Sequence, residues 1–157
     1  MKAVVQRVTQ AKVSVYGQTL GAIVAGLVVL LAIGRGDGEE EARWMANKIA
    51  HLRIFEDEAG KFNRSILDVG GQVLLVSQFT LYGDARKGRR PSFTEAAPPD
   101  VAESLVNRVA QLLVDHGVPV ASGRFQAHML VEIHNDGPVT IILDKQRTRQ
   151  VFPESAD

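Results

Sequence analysis

The chain has 157 residues, the length of one domain. Its 18 basic and 18 acidic side chains cancel, so no overall field draws it to nucleic acid, and any such binding must rest on local charge clusters. With 45% hydrophobic residues it can bury an ordinary core, and the absence of cysteine excludes disulfides, thiolate nucleophiles and cysteine-ligated zinc.

Met1 to Arg7 carries polar residues where a secretory signal needs an apolar core. The longest apolar stretch, Ala22 to Ile33, is too short to span a bilayer. A cytoplasmic protein with no membrane partner is therefore expected, and cysteine-free composition is compatible with that. Lys2 to Thr9 alternates: Val4 and Val8 share one face, and Ala3, Val5 and Arg7 the other. A period of two predicts a strand, which Ala11 to Val15 continues. Tyr16-Gly17-Gln18 reads as the turn into a hairpin partner. Gly21 to Ile33 reads as one long buried strand, broken by Gly34-Arg35-Gly36-Asp37-Gly38.

Asp37 is placed to cap a helix over Glu39 to His51. Three glutamates in its first turn suit the positive end of the dipole. Trp44, Ile49 and Leu52 supply its apolar positions. A short strand over Leu52 to Phe55 and a turn over Glu56 to Phe62 follow. Gln72 to Phe79 is a strongly β-forming run, and Gly83 to Pro91 a charged loop. Pro98-Pro99-Asp100 opens a second helix, Asp100 to His116, with Val101, Leu105, Val109, Leu112 and Leu113 on one face. Gly117 stands where a helix-ending glycine belongs. Strands are expected near Val118–Ala121, His128–His134 and Val139–Asp144. The tail from Lys145 to Asp157 has no strong pattern. The elements describe a single α+β domain over residues 1–157, with two main helices and a mostly antiparallel sheet.

Three segments carry possible chemistry. Ser77-Gln78-Phe79-Thr80-Leu81 puts two hydroxyls and an amide at a strand end, where backbone N–H groups could bind an oxyanion. The same residues could simply end the strand by bonding local backbone. Asn135-Asp136-Gly137-Pro138-Val139-Thr140 reads as a turn between two strands. Arg86-Lys87-Gly88-Arg89-Arg90 places four positive charges on a loop, which could hold phosphates or merely be solvated. His128 and His134, six apart, would share one face of a strand with Glu132 near. No third ligand follows at a recognisable spacing, so no metal is expected. Ser77 or Thr80 with a histidine could make a hydrolytic dyad, yet no Gly-x-Ser-x-Gly elbow is present. The spacing of Gly34-Arg35-Gly36-Asp37-Gly38 does not fit a dinucleotide fingerprint.

The pair of segments Ser77–Leu81 and Asn135–Thr140 resembles the two signature motifs of D-aminoacyl-tRNA deacylases, also called D-tyrosyl-tRNA deacylases. Val4-Val5-Gln6-Arg7-Val8 resembles that family's first strand, and Gly83 to Phe93 matches its style. The resemblance runs to about Asp144. It implies a homodimer of small β-barrel-like domains with flanking helices and active sites at the interface. Ser77, Gln78, Phe79 and Thr80 would line the site, with main-chain N–H groups near Phe79 and Thr80 facing the scissile ester. Gly137-Pro138 would be a cis dipeptide reaching into the partner's site, held by Arg7. Phe125 and Met129 would flank the terminal adenine. The implied reaction hydrolyses D-aminoacyl-tRNA, and also glycyl-tRNA, while a Gly–cis-Pro filter rejects the L form. The ribose hydroxyl beside the ester would assist water, so Thr80 would position rather than attack, and no cofactor is needed.

Overall fold

A computed structural model describes residues 1–146; most of the tail reading, 147–157, lies outside the described residues. The two period-two segments at the start form one strand, β1 (Lys2–Val15). Tyr16 and Gly17, both at positive φ, turn it into β2 (Gln18–Ile23), a geometry that matches the twist of a two-residue hairpin. The expected single strand over Gly21 to Ile33 is in fact two, because the chain bends at Val24-Ala25 before β3 (Gly26–Ala32). Gly26 sits so close to the next strand that a Cβ there would fall 1.9 Å from the Gln72 carbonyl oxygen.

Helix α1 (Glu39–His51) follows, capped by Gly38 rather than Asp37. The Glu41 carboxylate accepts from the Gly38 N–H at 2.8 Å. Asp37 is drawn away: its carboxylate accepts from the Gly34 N–H at 2.6 Å and pairs with the Met1 amino group at 2.7 Å. The buried face of α1 is Ala42, Met45, Ala46, Ile49 and Ala50; Trp44 and Leu52 only border the core. A hairpin of β4 (Phe55–Glu56) and β5 (Phe62–Arg64) replaces the strand expected over Leu52 to Phe55. The short helix α2 (Ile66–Val69) was not foreseen, although Ser65 and Asp68 cap it reciprocally. Strand β6 (Gln72–Ser77) is two residues shorter than expected, because Phe79–Tyr82 wind into a 3-10 turn. Helix α3 (Pro99–Asp115) buries Ala102, Val109, Leu112 and Leu113, while Val101 is exposed. Gly117, at φ 97°, ends it as expected. Strands β7 (Val120–Ser122) and β8 (Leu130–Asp144) complete the described chain.

The main sheet has the order β2-β1-β3-β6-β7, with β8 on the other side of β1. Every pairing of β1 is antiparallel, whereas β3–β6 and β6–β7 are parallel, so the sheet is mixed. Its ends approach: a Cβ on Gly21 of β2 would lie 2.8 Å from the Ser122 oxygen of β7. The result is a nearly closed, barrel-like sheet in an α+β domain. Leu27, Val29, Leu31, Val73 and Leu75 point to the helices; Val28, Leu74 and Val76 point into the barrel. Burial on both faces explains why β3 and β6 read as continuous apolar runs. No helix among the described residues is long and apolar enough to cross a membrane.

Candidate active site

Strand β6 ends because Gln78, at φ −145° and ψ 72°, leaves the extended path. Its N–H still donates to the Leu31 carbonyl at 2.8 Å, which anchors the exit to β3. The 3-10 ladder then starts with Leu81 N–H donating to the Gln78 carbonyl at 3.2 Å. Phe79 and Thr80 therefore lie at its open amino end, where main-chain N–H groups lack helical partners. The Gln78 carboxamide donates to the Thr80 hydroxyl. Phe79 is 58% exposed and packs edge-on against Phe93, ring centroids 5.2 Å apart.

Ser77, Gln78 and Phe79 form one wall of an open cavity of about 580 Å³. Phe125, Met129 and His128 stand on another wall, carried by the loop between β7 and β8; Ala102 and Val106 of α3 close the floor. Gln126 in that loop has φ 62°, a conformation uncommon for a side-chain-bearing residue. The structure thus gathers Ser77, Gln78, Phe79, Phe125 and Met129, with Thr80 tied to Gln78. The lining is largely aliphatic and aromatic, with Ser77 and Gln78 as the polar side chains of the first wall and Gln126 and His128 as those of the loop wall. Such a cavity suits a planar apolar group attached to a polar reacting centre.

His128 and His134 do not share a strand as expected. His128 lies in the loop before β8, whereas His134 sits in β8 opposite Gln10. The two therefore face different surroundings. Among the described residues no three His, Asp or Glu side chains converge, and no hydrogen bond joins either histidine to Ser77 or Thr80.

The segment Asn135–Thr140 is not a turn between two strands. Both flanks pair with β1 in the same direction, Val8 opposite Asn135 and Gln6 opposite Thr140. The four residues Asp136 to Val139 thus face the single residue Arg7, and the excess protrudes as a large bulge. At its crest the Gly137–Pro138 peptide bond is cis and both residues are exposed. Buried Arg7 donates to the Asp136 carbonyl at 3.0 Å and the Ile54 carbonyl at 2.9 Å. Arg7 thus bonds the carbonyl of the peptide that leads into Gly137, and its Nη2 lies 3.3 Å from where a Cβ on Gly137 would stand. Sequence reasoning also missed the part of Asn135, whose carboxamide bonds both main-chain groups of Val139.

The bulge and the cavity are far apart within one chain. Leu31 pairs with both Ala3 and Ser77, whereas Arg7 pairs with Leu27. Four residues along the sheet separate the two levels, about 13 Å at roughly 3.3 Å per residue. Gly137, Pro138 and Arg7 do not line the cavity.

Beyond the 3-10 turn, Asp84 and Ser92 exchange backbone hydrogen bonds of 2.8 and 2.9 Å and close the basic loop at its base. Arg86 binds the Asp84 carboxylate through two nitrogens, at 2.9 and 2.7 Å. Those hydrogen bonds hold the Asp84 carboxyl at about 2, below the usual range. Because the folded value is depressed, the pair is complete above the ordinary aspartate pKa of about 3.9 and is lost only as pH falls through about 2. Arg86 is therefore already neutralised. Lys87, Arg89 and Arg90 are exposed and have no carboxylate partner among the described residues.

A family model described as D-Tyr-tRNA(Tyr) deacylase matches residues 4–144. A D-aminoacyl-tRNA deacylase of Heliobacterium modesticaldum is 64% identical over 144 residues, covering 92% of this chain and 96% of the relative. One of Thermotoga petrophila is 56% identical over 147 residues, covering 94% and 99%. A solved structure titled c-Myc DNA Unwinding Element Binding Protein superposes with a TM-score of 0.87 at 44% identity, over 94% of this chain and 100% of that one. A probable eukaryotic D-amino acid tRNA deacylase shares the fold, with a TM-score of 0.78 at 20% identity over 92% and 98%. The match over β1, both motif segments and the cavity walls places this chain in the D-Tyr-tRNA(Tyr) deacylase family.

Proposed function

We infer that this chain hydrolyses the ester bond of D-aminoacyl-tRNA, the reaction for which its family and its relatives are named. The observation that carries the reading is the cavity beside Ser77, Gln78, Phe79 and Thr80. Phe125 and Met129 flank the terminal adenine there. The ester then lies beside Ser77 and Gln78, under the main-chain N–H groups of Phe79 and Thr80, which stabilise the developing oxyanion. An aminoacyl ester is already activated, so positioning supplies much of the catalysis. The neighbouring ribose hydroxyl assists water, and Thr80 holds the substrate without attacking it.

Chirality is enforced by exclusion. Gly137 and Pro138 stand against the substrate's α-carbon, where hydrogen fits and an L side chain does not. Glycyl-tRNA has no side chain to exclude and is also cleaved. Since the bulge lies far from the cavity of its own chain, it serves the cavity of a second copy. The working form is therefore a homodimer with sites at the interface. Its place is the cytoplasm, where charged tRNA is used.

Replacement of Thr80 by alanine tests the assignment of roles. A lost positioning hydroxyl should lower kcat/KM on D-Tyr-tRNA roughly ten- to a hundredfold. Loss of a nucleophile costs about a millionfold. Total inactivity of folded Thr80→Ala protein would mean that Thr80 attacks the ester.

The basic loop follows the site toward the rest of the tRNA, and its free cations contact phosphates. Neutralising Lys87, Arg89 and Arg90 together should flatten the salt dependence of tRNA binding by about two to three in log–log slope. Arg86→Gln combined with Asp84→Asn should leave that slope nearly unchanged, because the two side chains form a neutral pair. A neighbour of the same fold is titled c-Myc DNA Unwinding Element Binding Protein, which raises nucleic-acid binding without catalysis as the alternative. A chain that bound nucleic acid but released no amino acid from any charged tRNA would match that alternative.

A further inference from the structure

We propose that Asn135 is a positioning residue for stereospecificity, acting by holding the Gly137–Pro138 crest in place. The proposal rests on the exclusion reading above. The bulge has lost the normal ladder, since Asp136 to Val139 face only Arg7 across β1. Something else must fix its shape. On the leading side Arg7 donates to the Asp136 carbonyl at 3.0 Å. On the trailing side the Asn135 carboxamide takes over the work of a missing strand. Its Oδ1 accepts from the Val139 N–H at 2.7 Å, and its Nδ2 donates to the Val139 carbonyl at 3.2 Å. A side-chain amide presents one acceptor and one donor side by side, as a peptide unit does.

The second hydrogen of Nδ2 reaches the Thr140 hydroxyl at 3.1 Å, which also accepts from the Gln6 carboxamide at 3.3 Å. Asn135 thereby ties the bulge both to itself and to β1. Val139 is buried at 8% exposure, whereas Gly137 and Pro138 are exposed. The clamp thus grips the inner residue and leaves the crest free to meet a substrate. Aspartate cannot substitute. It keeps an acceptor for the Val139 N–H but turns a second oxygen toward the Val139 carbonyl, replacing attraction by repulsion.

The test measures kcat/KM on D-Tyr-tRNA and L-Tyr-tRNA together with the thermal midpoint, for Asn135→Asp, Thr140→Val and Gly137→Ala. Displacing a positioning group by about 1 Å changes rates up to a hundredfold. Asn135→Asp should therefore lower the D-to-L ratio at least about tenfold while the protein remains folded. Thr140→Val removes one bond of the clamp without a change of shape and should lower the ratio by less; it keeps the test open if Asn135→Asp fails to fold. A merely structural role would depress both activities in parallel at a fixed ratio, and that result overturns the proposal. Gly137→Ala separates the two ideas. If it shifts the ratio and neither clamp variant does, positioning by Asn135 is wrong and exclusion stands. If Gly137→Ala leaves the ratio intact, exclusion itself is wrong, and the proposal falls with it.

Discussion

Arg7→Ala should destabilise the protein by roughly 3–5 kcal/mol and lower its D-to-L ratio at least about tenfold. Arg7 is only 7% exposed, yet it reaches two main-chain carbonyls on different elements, Asp136 in the bulge and Ile54 before β4. Alanine leaves both acceptors without their donor and opens a void beneath the Phe62 ring, which lies 5.5 Å from the guanidinium. Lysine should recover little. It carries the same charge, but its compact ammonium cannot reproduce a planar fork whose nitrogens point to separate carbonyls. Urea unfolding and paired ester assays on Arg7→Ala and Arg7→Lys check both parts. Full discrimination in a folded Arg7→Ala protein would remove this residue from the account of the crest.

The largest effect on folding should come from Gly26→Ala. A Cβ at this position would meet the Gln72 oxygen at 1.9 Å and its nitrogen at 2.7 Å, both main-chain atoms. No rotation of a side chain relieves that contact. Either β3 and β6 part at the start of their parallel ladder or the chain bends before it. We expect a loss of at least about 4 kcal/mol, at the extreme end of single substitutions. Denaturant unfolding measures it. A cost under about 1 kcal/mol would show that the two strands can separate freely there. The β6 exit that carries Ser77 and Gln78 depends on the same ladder, so partly folded protein should also lose activity.

Local periodicity carried much of the fold. The alternation from Lys2 onward and the apolar face of α3 follow directly from their patterns, since burial on one side imposes a period of two or of 3.6. What escaped was non-local. Gly26 looks like an ordinary interruption of an apolar run until Gln72 is known to lie against it. Asp37 has the right offset for a helix cap, but the Met1 amino group outcompetes the helix for it. The parallel partnership of β3 with β6 is a property of distant segments, invisible to a window.

The candidate site was legible in a similar, partial way. Ser77 to Thr80 and the Asn135 to Thr140 segment were recognisable by resemblance, because each is short and contiguous. Spacing alone gave only a strand end and a turn. Asn-Asp-Gly-Pro reads as a turn wherever it occurs, and only the shared pairing of both flanks with β1 makes it a protrusion. Asn135 itself left a usable signal: asparagine commonly bonds backbone a few residues on. The separation of bulge and cavity, on which the proposal of a second copy rests, required the register of three strands.

Chiral selection at an ester is tested directly by one assay. D-Tyr-tRNA and L-Tyr-tRNA are incubated in parallel with the purified chain, and release of the amino acid is followed. Rapid loss of the D ester with the L ester spared is the predicted result. Equal loss of the two would contradict it and leave an esterase without a stereochemical filter.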